Sequence, residues 1–146
     1  MDHIEIAKQA IEVVKPSIEA LFKHTVRKEL HIVVVDPRVK PWEASFDDAI
    51  LYEYTIRNSD VWQAPYDEFA RNKARQAWRE QQPNGVIQQL HPSSLRSEDV
   101  PFYGSFVYGN VVVGCSGVQQ WFDVLISGWV ALAFEQIAIA DRLDAR

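Results

Sequence analysis

The chain of 146 residues has one cysteine, Cys115, one methionine and six glycines. A lone cysteine excludes an intrachain disulfide and any thiol-based zinc cluster. Lys and Arg number 15 against 20 Asp and Glu, a net charge of −5. That balance lacks the basic footprint of a nucleic-acid binder. The four histidines, His3, His24, His31 and His91, have no metal-ligating residue three or four positions away. Neither a Walker A loop nor a Gly-x-Gly-x-x-Gly loop occurs. The start, Met1-Asp2-His3-Ile4-Glu5, lacks the basic and apolar regions of a signal peptide. The most apolar run, Val124 to Phe134, is 11 residues between Asp123 and Glu135 and too short to span a bilayer. A cytoplasmic protein is expected.

What is present suits one globular core. Apolar residues make up 47% and aromatics 12%, with five Trp to give the core bulk. Residues 1–146 are therefore expected to form a single domain. Ile4, Ala7, Ile11, Val14, Ile18 and Leu21 recur at helical spacing, which predicts a helix over 3–24, kinked or divided at Pro16. Leu30 to Val35 reads as a strand covered on both faces. The stretch from Pro37 to Asp48 reads as a loop, Ala49 to Ile56 as a second strand, and residues 57–60 as a turn. Pro65 opens a helix with acids first and bases last, which Pro83-Asn84-Gly85 stops. Its bases Arg71, Lys73, Arg75 and Arg79 read as a solvated face. Residues 86–102 are the least regular, and a short helix or an irregular segment fits them.

Ser105 to Tyr108 and Val111 to Val118 read as a hairpin turning at Gly109-Asn110. Gly114 and Gly117 in its second strand mark a bulge or a close backbone approach. The last helix, from about Trp121 to Leu143, is apolar most of the way round. One sheet cannot cover all of that surface. A homo-oligomer joined through this helix is expected.

Several strings, in this order, resemble the GlcG/HbpS-like family. They are Val34-Val35-Asp36 at the end of the first strand and Lys73-Ala74-Arg75-Gln76-Ala77 in the central helix. Gly104 before the hairpin, Gly109-Asn110 at its turn and Asp123 opening the last helix complete them. The resemblance covers roughly residues 4 to 140. It implies a dimer or larger oligomer and, for some members, haem. Three places depart from the pattern. Pro37-Arg38-Val39-Lys40-Pro41 replaces a glycine turn. Gly104 stands alone where the family has paired glycines. Gln119-Gln120-Trp121 replaces a Ser-Gly-Gly-type loop. The expected fold is α/β of the α+β type, a mainly antiparallel sheet of about five strands with helices on both faces, a profilin-like three-layer sandwich.

The candidate ligand site is composite. Tyr103, Gly104 and Ser105 enter the hairpin, and Gln119, Gln120 and Trp121 lead into the last helix. A helix N-terminus there favours an anion or carboxylate. Trp42 and Trp62 are candidate apolar walls. His91 lies near the same place. It is a candidate axial haem ligand, read otherwise as a surface loop histidine. Cys115 reads as a buried strand cysteine, and Gly114-Cys115-Ser116-Gly117 is not a nucleophile elbow. No catalytic constellation or metal site emerges. The first reading is a non-catalytic small-molecule or cofactor binder with no nucleic-acid or membrane partner. The alternatives are an enzyme using Ser105, Lys73, Arg75 or His91 at a subunit interface, and a purely structural assembly protein.

Overall fold

Leu30–Val35 forms strand β1, and all six of its residues are buried. That burial follows from its place inside the sheet. The structure, a computed structural model, describes residues 1–57 and 59–144. Of the expected turn at 57–60, Asn58 lies outside the described residues. The other strands are β2 (Ile50–Ile56), β3 (Ser105–Tyr108) and β4 (Val111–Ser116). They form one sheet in the order β2-β1-β4-β3, antiparallel at every pairing. The sheet thus has four strands where about five are expected. The least regular segment holds a short helix, α4 (Asn84–Leu90), one of the two forms expected of it.

Alternation along β1 sends its side chains to two cores. Leu30, Ile32 and Val34 join Val111, Val113 and Cys115 beneath α1 (His3–Leu21) and α5 (Gln120–Leu143). Val33 and Val35 join Val112 beneath α3 (Tyr66–Glu80), where Ala70, Ala74 and Ala77 face them. Helices therefore cover both faces. Small residues let α3 lie close. A Cβ on Gly114 of β4 would come 2.7 Å from the Ala74 Cβ. The close approach expected of that glycine is present.

Asp2 caps α1 by accepting a hydrogen bond from the Glu5 N–H at 2.8 Å. Pro16 sits inside α1 without dividing it. Ile11, Val14 and Ile18 are buried on either side of it, and that packing outweighs the lost backbone bond. A single turn, α2 (Phe46–Ala49), interrupts the expected loop before β2. Helix α3 ends at Gln81, which takes the left-handed conformation (φ 57°). The helix thus ends just before Pro83-Asn84-Gly85, where its stop is expected. Pro83 precedes the first residue of α4, a position that tolerates its missing donor.

The 11-residue run singled out in the sequence, Val124 to Phe134, lies within the 24-residue α5. By length and composition alone α5 could cross a bilayer. Ile126, Val130, Ala131 and Phe134 instead pack into the core shared with α1 and the sheet.

Candidate functional site

Lys73 falls within the buried alanine stripe of α3, between Ala70 and Ala77, and is only 1% exposed. Its ammonium has three protons to donate, and three acceptors meet it. They are Asp123 Oδ2 at 3.1 Å, the Cys115 carbonyl at 3.1 Å and Ser116 Oγ at 3.2 Å. Asp123 lies in the first turn of α5 and is itself 1% exposed. Its Oδ1 accepts from the Val118 N–H at 3.4 Å. The pair thus ties α3 to the end of β4 and to the start of α5. Burial pushes the Asp123 carboxyl up to about 7, and the facing Lys73 charge offsets only part of that rise.

Gly104 closes this cluster from the β3 side. A Cβ there would stand 2.8 Å from the Asp123 Cβ and 2.9 Å from Lys73 Nζ. Its carbonyl accepts from Ser127 Oγ of α5 at 2.7 Å. The glycine is required by the close approach of three elements.

Above the pair opens a cavity of about 400 Å³. Lys73, Asp123 and Ser116 lie at its floor, and Tyr66, Phe69, Phe102 and Trp121 give it aromatic walls. Gln119, Gln120 and Arg27 complete the rim. Arg27 donates to the carbonyls of Gly117 at 2.8 Å and Val118 at 3.2 Å, and its guanidinium lies over the Tyr66 ring. Arg27 is thereby held beside the N-terminus of α5.

The residues picked out from sequence divide around this cavity. Gln119, Gln120 and Trp121 line it. Gly104 lies against Lys73 and Asp123 at the floor. Tyr103 takes part through its backbone, donating to Gln120 Oε1 at 2.9 Å, while its ring packs over Gly85. Ser105 is buried and engaged elsewhere. Its hydroxyl donates to Asn84 Oδ1 at 2.7 Å and accepts from the Asn84 N–H at 2.9 Å. His91 follows the last turn of α4 and is exposed, outside the cavity lining. Trp42 is 79% exposed and forms no wall. Trp62 packs edge-on against His31 and Tyr66 behind the lining.

Asp123, Arg27, Tyr66, Phe69 and Phe102 did not stand out as site residues in the sequence, and Lys73 did so only in the enzyme alternative. One signal was available for Lys73. It shares the helical phase of Ala70, Ala74 and Ala77, the face that must meet the sheet. A lysine in that phase is not on a solvated face.

The chemistry available is limited. The Cys115 thiol is buried, and desolvation together with the Asp123 charge pushes it well up, so it is no nucleophile. Among the described residues no hydrogen bond joins any two of Ser105, Lys73, Arg75 and His91. No group of three His, Cys, Asp or Glu side chains is placed to hold a metal ion among them. Of the side chain types that ligate haem iron, the cavity lining holds a tyrosine, Tyr66, and no His, Cys or Met, and Lys73 has all three protons engaged. No family model matches the chain, and no curated protein matches it.

Proposed function

We propose that the protein is a small-molecule binder whose ligand enters the cavity at the N-terminus of α5. The observation that carries this reading is the floor. Lys73 and Asp123 are ionisable groups set at the base of an aromatic-walled cavity, with every polar atom already satisfied. Such a floor can orient a ligand but holds neither a free nucleophile nor a nucleophile–base pair. Arg27 and the backbone donors of α5 favour an anionic head. Tyr66, Phe69, Phe102 and Trp121 favour a flat apolar body.

The same reading takes the chain as a GlcG/HbpS-like domain with a profilin-like sandwich. Two of the strings behind that resemblance support it by meeting in space. Lys73 of the Lys-Ala-Arg string and Asp123 at the head of the last helix are 3.1 Å apart.

The test uses 2-naphthoate, a flat aromatic carboxylate, titrated calorimetrically. Binding to the wild-type protein is expected. Trp121→Ala and Arg27→Ala should each weaken it by about tenfold, or ~1.4 kcal/mol. Wild-type affinity in both variants would move the ligand out of this cavity. Native mass spectrometry of the freshly purified protein would then show whether any small molecule accompanies it.

A further inference from the structure

Helix α5 shows solvent an apolar stripe that neither core uses. Trp121, Leu125, Leu132, Ile139 and Leu143 are all exposed, from 39% at Leu125 to 76% at Leu143. At 3.6 residues per turn they fall within about 40° of one line. Ile126, Val130 and Phe134 lie on the far side and are buried. The stripe's spacings are 4, 7, 7 and 4, so they read the same in both directions about Leu132. Its first residue, Trp121, is also a wall of the cavity.

We propose that two copies of this chain pair through α5, antiparallel about a two-fold axis at Leu132, so that each α5 ends over the other copy's cavity. A two-fold contact must be self-complementary. About that axis Leu132 meets Leu132 of the second copy. Leu125 meets Ile139, and Trp121 meets Leu143. The palindromic spacing serves only this arrangement. Antiparallel helices also oppose their dipoles, which a parallel pair would align. The three central residues repeat every seven positions, the period of a helix-pair seam.

The area sets the strength. From Trp121 to Leu143 the stripe covers 23 residues, or ~33 Å, and a helix face ~10 Å wide gives roughly 330 Å² per copy. A standard interface buries about 800 Å² per partner. Phe102, exposed at the cavity lip that it shares with Trp121, adds a little to the stripe's surface. The stripe alone is less than half of the standard area, so the contact is a weak, transient one, and dimerisation is expected only toward the upper end of the micromolar range.

Sedimentation of the whole chain from 1 to 100 μM, as order-of-magnitude bounds, should show a monomer–dimer equilibrium. Leu132→Lys sets two like charges on the axis and should give a monomer. Val13→Lys, on an exposed apolar position of α1, should leave the dimer intact. Variants with one added cysteine fix the direction, since the chain's own Cys115 is buried. Leu132→Cys should cross-link to itself. Leu125→Cys should cross-link only when mixed with Ile139→Cys, and Trp121→Cys only when mixed with Leu143→Cys. Self-linking of Leu125→Cys would mean a parallel pair and overturn the proposal. So would a wild-type monomer at the highest concentration, whether or not it binds phosphatidylcholine–phosphatidylglycerol vesicles. Closure is read separately. Leu132→Lys should weaken 2-naphthoate severalfold, and unchanged affinity would overturn closure. If 2-naphthoate binds neither protein, the cavity reading fails, while the cross-links still decide the pairing.

Discussion

Lys73 is held by a helix that has almost nothing else polar on the same face. Ala70, Ala74 and Ala77 bring α3 onto the sheet and carry the lysine in with them. Its charge is then balanced by a single carboxylate, Asp123. Removing one partner of a buried pair leaves the other charge unpaired. Well above pH 7, where Asp123 is ionised, Lys73→Met is therefore expected to cost about 3–5 kcal/mol of folding stability. The double variant Lys73→Met with Asp123→Leu should recover part of that loss, because neither charge is then buried. Urea denaturation of the two singles and the double decides it, and strictly additive losses would mean that the pair does not act as a unit. The pair was hidden in the sequence by residue type. Arg71 and Arg75 beside it do reach solvent, each with more than a third of its side chain exposed. Lys73 has the same charge and the opposite phase. Arg79 shows the other exception. It is buried because Asp99 meets it at 2.7 Å, and that partner is 20 positions away.

At the scale of elements, legibility follows how local the organising force is. The β3–β4 hairpin was readable because its turn needs one residue with positive φ, and Gly109 supplies it at 59°. Helices α3 and α5 were readable because their apolar periods are long. The segment between α3 and β3 was not, because single polar side chains organise it. Asn72 Oδ1 accepts from the Val100 N–H at 2.8 Å, and Asn84 Oδ1 accepts from the Gly104 and Ser105 N–H groups at 3.1 and 3.2 Å. No periodicity records such bonds. Trp42 failed as a wall for a related reason. An aromatic residue in a loop can as readily face solvent as a cavity. The two hairpin glycines make opposite predictions. Gly114→Ala would drive a methyl group to 2.7 Å from the Ala74 Cβ and force α3 off the sheet. A loss of about 1–3 kcal/mol is expected, with damage to the cavity floor that α3 carries. Gly109→Ala meets nothing within 4 Å and should cost only the left-handed backbone, about 1–2 kcal/mol, leaving 2-naphthoate binding unchanged. Equal effects of the two on binding would mean that α3 does not set the floor.

For the whole molecule, the buried carboxyl at the cavity floor makes stability depend on pH in a window above that of Asp36 and Asp99. Asp36 and Asp99 are partly buried, which pushes them up, but Arg38 and Arg79 outweigh that and hold both below the usual 3.8. Their contributions are present above 3.8 and are lost as the pH falls further. Asp123 behaves in the opposite sense, because burial raises it from 3.8 to about 7 in the folded state. Below 3.8 it is protonated in both states and contributes no slope. Between 3.8 and about 7 the folded protein keeps the proton and the unfolded chain has lost it. Stability must then fall as the pH rises through that window, by at most ~1.4 kcal/mol per pH unit for one proton. Above about 7 both states are ionised and the slope ends. Urea unfolding of wild type and Asp123→Asn at half-unit steps isolates the effect. The wild-type-minus-variant difference should decline from about pH 4 to about 7 and then level off. A flat difference would mean that Asp123 is ionised throughout, with Lys73 fully compensating its burial. The same proton changes the charge at the floor. As Asp123 ionises it adds a negative charge beneath the ligand, so 2-naphthoate should bind more weakly above pH 7 than below it.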